Sequence, residues 1–264
     1  MASDRMRRFQ STAKHYVAGR PPYAPTLIER VARRCGLRRK HRILDLACGP
    51  GQLAVGFSKF VSSVIAIDPE PEMLDVARAA AREKAARNIE FIQASAGDLG
   101  PYLGSFRMVM IGRAFHWMDR VDTLARLDSL IEPGGAVVLF GDSHPELPDN
   151  GWHPKYRALL ARYSDGDAGW QRRRAPGWIP HEAILLASPF PMLERIGVIE
   201  QRQVAVDQLV DRAFSMSSTS HKRLRAKAKA LAEEIRKLMP VYAVDGQVTE
   251  VVESQALMAE RRQS

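Results

Sequence analysis

Apolar positions recur first at helical spacing, then in short runs parted by turn residues, and this order argues for a parallel α/β sheet. In residues 24–35 (APTLIERVARRC), Leu27, Ile28, Val31 and Ala32 share one helical face, and Pro21, Pro22 and Pro25 mark its entry. Arg42–Ala47 has a buried-strand pattern that runs into a Gly/Pro turn at Gly49–Gly51, and Leu53–Phe60 reads as a helix. Ser63–Ile67 predicts a second strand ending at Asp68. Pro71–Ala86 predicts a helix with Pro71 suited to its first turn. Further strands are expected at Ile89–Gln93, Met108–Ile111 and Ala136–Phe140, the last preceded by the turn Pro133-Gly134-Gly135.

Residues 142–193 differ in texture, holding Trp152, Trp170 and Trp178 and seven of the 16 prolines. Apart from a short helix around Lys155–Tyr163 they show little periodicity. A structureless loop of that length is rare in a compact domain, so the segment reads as an inserted cap. Strand character returns at Arg195–Val206. Leu224, Ala228, Leu231, Ile235 and Leu238 then form an amphipathic helical stripe, and Val248–Val252 fits a last strand. The expected division is an N-terminal helical segment (1–41), an α/β core (42–141), the cap (142–193) and a C-terminal completion of the sheet (194–264).

With 264 residues, 45% of them hydrophobic and 26% charged, the composition is that of a globular chain. No apolar run approaches the roughly 20 residues of a membrane span. Arg7–Arg8 is followed by no apolar segment, which argues against a twin-arginine export signal. Cys35 and Cys48 make neither a disulfide framework nor a metal-site spacing, so a reducing cytoplasm is expected. The net charge of +9 is local: residues 1–50 carry 12 basic groups against Asp4, Glu29 and Asp45, and the remainder balances. Clusters at Arg33–Arg34 and Arg38–Arg42 could steer an anionic partner or form a solvated helix face. No aromatic residues interleave with them as a nucleic-acid stacking platform requires, and no Asn/Asp-Pro-Pro-Tyr/Phe motif occurs.

The strongest local signal is Leu44-Asp45-Leu46-Ala47-Cys48-Gly49-Pro50-Gly51, a strand leading through glycines into a helix N-terminus. The dinucleotide fingerprint is not met, because position 54 is Ala. Asp68, 17 residues beyond Gly51, is placed either to accept both ribose hydroxyls of an adenosine or to cap the helix that starts at Pro71.

The combination LDLACGPGQ, IAIDPEPEML, ASAGDL, AFHWMD and PGG resembles the class I S-adenosylmethionine-dependent methyltransferases. Within them it is similar to the small-molecule branch that includes trans-aconitate methyltransferase-like proteins. The resemblance implies a Rossmann-like, seven-stranded, mostly parallel sheet with an inserted cap subdomain, and S-adenosylmethionine as cofactor. It further implies that Asp45, Ala47, Gly49 and Gly51 line the methionine and ribose part of that cofactor. Asp68 would hold the ribose diol, Met73 would pack on the adenine, and Ser95 and Ala96 would meet its edge. Two positions depart from the family: an acidic residue is common at Ser95 or Gly97, and an Asp where Arg107 stands. Tyr16 and Arg20 fall in a stretch that such enzymes fold over the cofactor, where Arg20 would pair with the methionine carboxylate or else stand as a surface arginine.

His116 and Trp117 follow the fourth strand at the carboxyl edge of the sheet, where open α/β folds bind ligands. Trp117 offers an aromatic wall near a sulfonium. His116 is the candidate catalytic residue, as a base for a hydroxyl or amine or as a donor that positions a carboxylate; a satisfied structural histidine is the alternative. Trp152 and Trp170 are further substrate-site candidates, and the Arg172–Arg174 run beside Trp170 and Trp178 would clamp an anionic substrate or form a solvated face. His15, His41, His144, His153, His181 and His221 show no metal-ligand spacing. The expected reaction is methyl transfer to an oxygen of a small metabolite, by family analogy a carboxylic acid. A nucleic-acid methyltransferase and a non-catalytic cofactor-binding protein are the alternatives.

Overall fold

The computed structural model describes residues 13–164, 173 and 175–262. Their strands form one sheet in the order β3-β2-β1-β4-β5-β8-β6, with β7 paired to β8. The strands are β1 (Arg42–Leu46), β2 (Ser63–Asp68), β3 (Ile89–Gln93), β4 (Phe106–Gly112), β5 (Ile131–Ser143), β6 (Met192–Ala205), β7 (Ala243–Val244) and β8 (Gln247–Glu260). The pairs β1–β2, β1–β4, β2–β3 and β4–β5 are parallel, whereas β7 and β8 run antiparallel. The described strands number eight, not the expected seven. The addition is the short β7, which pairs Ala243 with Val248 across Asp245 (φ +50°) and Gly246 (φ +74°). Two central residues at positive φ make a hairpin turn that matches strand twist.

By internal packing the chain divides into two units. One comprises Tyr23–Gly141, Ile179–Val198 and Ser254–Ser264; the other comprises Met1–Pro22, Asp142–Trp178 and Ile199–Glu253. The segment expected as a cap is therefore shared between them.

The first of these is the α/β core. Helices α2 (Pro25–Arg34) and α3 (Gln52–Ser58) bury Leu27, Ile28, Val31 and Phe57 against Ile43, Val64 and Met108 on one face of the sheet. On the opposite face, Leu44, Leu46, Ile65 and Val109 pack with Leu124 and Leu127 of α5 (Arg120–Asp128) and Leu185 of α7 (His181–Leu186). The central strands are covered on both faces, which explains their nearly continuous apolar runs. The Pro-Gly-Gly turn lies within β5, where the register to β4 shifts between Phe106 and Met108. Arg107 stabilises that irregularity: its Nε donates to the Cys35 carbonyl at the end of α2, and its Nη1 donates to the Pro133 carbonyl. Much of the basic cluster is likewise structural. Arg34 pairs with Glu194 at 2.6 Å and with Glu260 at 3.0 Å, and Arg42 donates to the Leu103 carbonyl.

The second unit is built from α1 (Ala13–Gly19), α6 (Trp152–Tyr163), α8 (Val206–Phe214), α9 (His221–Leu224) and α10 (Lys227–Leu238), with β7 and parts of the long strands. Its core joins Trp152, Tyr156, Leu160, Leu209, Leu231 and Ile235. Ala228, Leu231 and Ile235 of α10 face inward as the spacing predicts, but Leu224 of the same expected stripe falls in the separate α9, which ends at Arg225 (φ +50°). Helix α1 lies so close to α8 that a Cβ on Gly19 would meet the Arg212 nitrogen at 2.2 Å. No helix among the described residues is long and apolar enough to cross a membrane.

Candidate functional site

The glycine loop leaves β1 through a left-handed residue, Ala47 (φ +57°), followed by Gly49 (φ +55°) and Gly51 (φ +78°). Left-handed backbone at a non-glycine residue costs on the order of 1–2 kcal/mol and persists only where the surroundings dictate it. Here the Cys48 N–H donates to the Ile67 carbonyl at 2.9 Å, which locks the turn to the end of β2. The two glycines serve different ends. A Cβ on Gly51 would come within 3.0 Å of Ala77 Cβ in α4 (Pro71–Glu83), so this glycine allows close packing of loop on helix. A Cβ on Gly49 would meet nothing within 4 Å among the described residues, which leave that face of the loop open.

Two carboxylates sit below this loop. Asp68, at the end of β2, accepts the Gly49 N–H at 2.8 Å through Oδ2 and the Glu70 N–H at 2.9 Å through Oδ1. It thus ties the loop to the start of α4, whose N-cap is Glu70. Burial raises its pKa, and the two backbone N–H groups oppose that rise. Asp45 interrupts the apolar run of β1 and is 1% exposed. Its Oδ2 accepts the Ala54 N–H in the first turn of α3 at 2.9 Å, while Oδ1 is buried with no hydrogen-bond partner among the described residues. Burial pushes its pKa up to about 7, against the pull of the Ala54 N–H and with the Asp68 charge adding to the rise. An orphaned buried carboxylate oxygen is costly to maintain, and a donor brought by water or by a ligand would relieve that cost.

The remaining expected residues of this unit lie at the carboxyl ends of the strands. Met73 is on the buried side of α4. Ser95 begins the turn Ala96–Asp98 after β3, and its backbone N–H and hydroxyl both donate to Asp98 Oδ2, at 2.8 and 2.6 Å. These bonds from Ser95, the hydroxyl's first, hold the Asp98 carboxyl below its usual range. Beyond β4, Arg113 is left-handed (φ +55°), its N–H donating to the Phe140 carbonyl and its guanidinium lying 4.3 Å from the Tyr23 ring centroid. The adjacent central strands β1 and β4 thus both end in a strained residue, Ala47 and Arg113. The turn Phe115–Trp117 then presents half-buried His116 and Trp117 with ring centroids 4.6 Å apart.

Other expected residues fall elsewhere. Tyr16 and Arg20 belong to the second unit, where Arg20 lies 4.7 Å from the Tyr16 ring centroid and donates through Nε to Ser215 Oγ at 3.0 Å. Trp152 is not placed to meet a substrate: it is 1% exposed in the core of that unit, and its Nε1–H donates to the Thr249 carbonyl. Trp170, Arg172 and Arg174 lie outside the described residues. Among the described residues no group of histidine, cysteine and acidic side chains is arranged to hold a metal ion.

Sequence reading missed a polar cluster in the second unit. Glu250 of β8 is fully buried and takes bonds from His144 at 2.7 Å, Arg202 at 2.6 Å and Arg212 at 2.5 Å. Burial works to raise its pKa, but the His144 bond and the Arg212 and Arg202 charges outweigh that and hold it well below the carboxylate range. Its partners come from residues 144, 202 and 212, so no local motif announced it.

Comparison with known proteins places a "Methyltransferase domain" family match on residues 43–135, the stretch that carries the glycine loop, both aspartates and the His116–Trp117 pair. An uncharacterized methyltransferase of Mycobacterium tuberculosis is 26% identical over 234 residues, covering 89% of this chain and 86% of that one. The demethylmenaquinone methyltransferase of Lactococcus lactis is 39% identical over 110 residues, or 40% of this chain and 44% of that protein. Among solved structures, a putative type II methyltransferase from Anaeromyxobacter dehalogenans has a TM-score of 0.62 at 22% identity, over 92% of this chain and 97% of that one. A methyltransferase from Geobacter sulfurreducens in complex with S-adenosylhomocysteine has a TM-score of 0.52 at 16% identity, over 97% of this chain and 98% of that one.

Proposed function

We propose that the chain is a class I S-adenosylmethionine-dependent methyltransferase and that it transfers the methyl group to an oxygen of a small metabolite. The observation that supports the cofactor reading at named residues is Asp45 Oδ1, which has no hydrogen-bond partner among the described residues, beneath a loop they leave open at Gly49. The fit to S-adenosylmethionine is chemical. Its methionine end carries an ammonium group that can donate to Asp45, its ribose carries two hydroxyls for Asp68, and its adenine is flat enough to lie by Met73, Ser95 and Ala96. When bound, it supplies an activated methyl group on a sulfonium. The protein's part is to bind, align and exclude water.

In this reading His116 holds the acceptor by a hydrogen bond and Trp117 gives an aromatic wall to the cationic centre. The small-molecule class is supported by the demethylmenaquinone methyltransferase relative, and a carboxylic acid is the preferred acceptor by family analogy. Cys35 and Cys48, both buried and free, suit a cytoplasmic location.

The test is incubation of the protein with S-adenosylmethionine labelled in its methyl group and a panel of small carboxylic acids, phenols and amines. The expected result is label in an ester or ether with one equivalent of S-adenosylhomocysteine. Cofactor binding without any labelled product would leave a binding protein instead.

A further inference from the structure

The parallel strands β1 to β4 all begin at one edge of the sheet: Arg42 stands opposite Ser63, Val64 opposite Ile89 and Ile43 opposite Met108. The glycine loop leaves the other end of β1, about 13 Å away along the strand. Cations collect at the starting edge. Arg38, Arg39 and Lys40 are exposed in the connection from α2 to β1, and Arg42 opens β1. Arg87 is exposed just ahead of β3, and Arg107 is the second residue of β4.

None of these six has a carboxylate within ion-pair distance among the described residues, whereas Arg78, Arg126, Arg195 and Arg261 of the same unit each have one. Arg42 and Arg107 direct their donors to the backbone carbonyls of Leu103, Cys35 and Pro133. Those bonds hold the guanidinium groups in place and leave their charge uncompensated. The crowding is felt at His41, whose pKa is lowered first by burial and then by the charge of Arg107, with Lys40 and Arg38 adding to it and Glu132 opposing.

The edge is also tied together. His41 Nδ1 accepts the Arg38 N–H at 3.0 Å, and the Arg38 carbonyl accepts the His41 N–H at 2.9 Å, which closes the turn that carries Arg39 and Lys40. The His41 carbonyl takes the N–H and the hydroxyl of Ser62, ahead of β2, at 2.9 and 2.7 Å. Asn88, ahead of β3, donates to the Ser58 and Val61 carbonyls at 3.0 and 3.1 Å. Three neighbouring connections thus form one surface, and its row of charge across β3, β2, β1 and β4 is about 14 Å long.

We propose that this edge docks the phosphate backbone of a nucleic-acid duplex, without regard to its sequence. Like charges held side by side are stabilised by an array of anions, and five of the six are arginines, whose planar fork matches phosphate oxygens. The surroundings narrow the occupant. Phe60, the one phenyl ring on these connections, is half-buried against the core, so unpaired bases find no stacking platform and a single strand is disfavoured. None of the large exposed apolar side chains lies on these connections, so the edge lacks what an interfacial surface inserts into a membrane. A duplex docked here lies at the far end of β1 from the glycine loop. It is therefore an anchor and not the methyl acceptor, and the proposal does not depend on the methyl-transfer reading.

The experiment measures fluorescence anisotropy of a labelled 20-base-pair DNA duplex of mixed sequence with the full chain, from 50 to 200 mM salt. Neutralising about five phosphates gives a log–log slope near −4.5, so affinity is expected to fall by about 500-fold over that range. Replacing Arg38, Arg39 and Lys40 together by alanine is expected to flatten the slope by about 3 and to weaken binding at 50 mM at least tenfold, with the thermal melt unchanged. Replacing Lys227, Lys229 and Lys237 of α10 by alanine removes the same charge elsewhere and is expected to leave affinity within about twofold. Absence of duplex binding at 50 mM salt, or equal losses in the two triple variants, would overturn the proposal. So would tighter binding of a single strand of the same length, or binding to phosphatidylglycerol vesicles and not to the duplex. Each of these outcomes leaves methyl transfer to its own test.

Discussion

Asp68 Oδ2 accepts the backbone N–H of Gly49 at 2.8 Å, so the carboxylate at the end of β2 holds the glycine loop that ends β1. The same side chain accepts the Glu70 N–H and thereby fixes the entry to α4. One residue thus sets the position of the loop, and it stands where the ribose of the cofactor is expected. These backbone bonds orient the carboxylate, which under the proposed function would also meet the ribose.

Asp45 predicts a pH signature. A carboxyl whose folded pKa stands near 7, above the ordinary 3.8, binds more protons folded than unfolded across that interval. Without cofactor, stability should fall as pH rises from about 4 to about 7. Asp45→Asn should flatten that slope in denaturant titrations at several pH values. A cation completing Oδ1 returns the carboxyl to its ionised form, so cofactor binding near pH 7 should release a proton. Calorimetry in buffers of different ionisation heat reads this release, and it should vanish in Asp45→Asn.

The two loop glycines should separate fold from ligand. Gly51→Ala brings a Cβ to 3.0 Å from Ala77 Cβ at φ +78°, and should destabilise the protein by about 2–3 kcal/mol. Gly49→Ala has φ strain but no neighbour to strike, so about 1 kcal/mol is expected. Its main effect should be weaker cofactor binding, because the new methyl occupies the open face. Thermal melts with and without cofactor distinguish the two.

Breaking the Glu250 cluster should cost stability whatever its chemistry. Arg212→Ala removes the partner of both Glu250 oxygens and also the Nε–H bond to the Gly19 carbonyl, which ties α8 to α1. Loss of a partner from a buried ion pair is worth about 3–5 kcal/mol. Glu250 is held below the unfolded carboxylate range, so its contribution is present above about pH 4.5 and is lost only as pH falls toward its folded value. A pH series of denaturant midpoints for the two proteins should show their difference shrinking in acid.

His116→Ala should lower turnover with little change in cofactor affinity if the ring holds the acceptor. Equal losses of both, measured by initial rates and by calorimetry, would assign His116 to the fold.

The α/β core was legible because its signals are local. Strand runs, the glycine turn and the acidic residue 17 positions beyond it all follow from short-range pattern, and β1 to β4 form close to their expected places. The long strands β6 and β8 and the β7 hairpin were harder. Of β8 only the valine-rich Val248–Val252 stands out, and the Asp245-Gly246 turn signal follows a strand, β7, of only two residues. Trp152 misled because tryptophan in a proline-rich segment suits a binding surface as well as a core. Glu250 could not be grouped with His144 from sequence, since the two stand 106 residues apart.

The central claim is that the loop anchored by Asp68 holds S-adenosylmethionine, and titration calorimetry of the cofactor into wild-type and Asp68→Ala protein tests it most directly. Removing a charged acceptor of two ribose hydroxyls, and of the Gly49 N–H that shapes the loop, should weaken binding by at least about tenfold. Equal affinity in the two proteins would contradict the assignment.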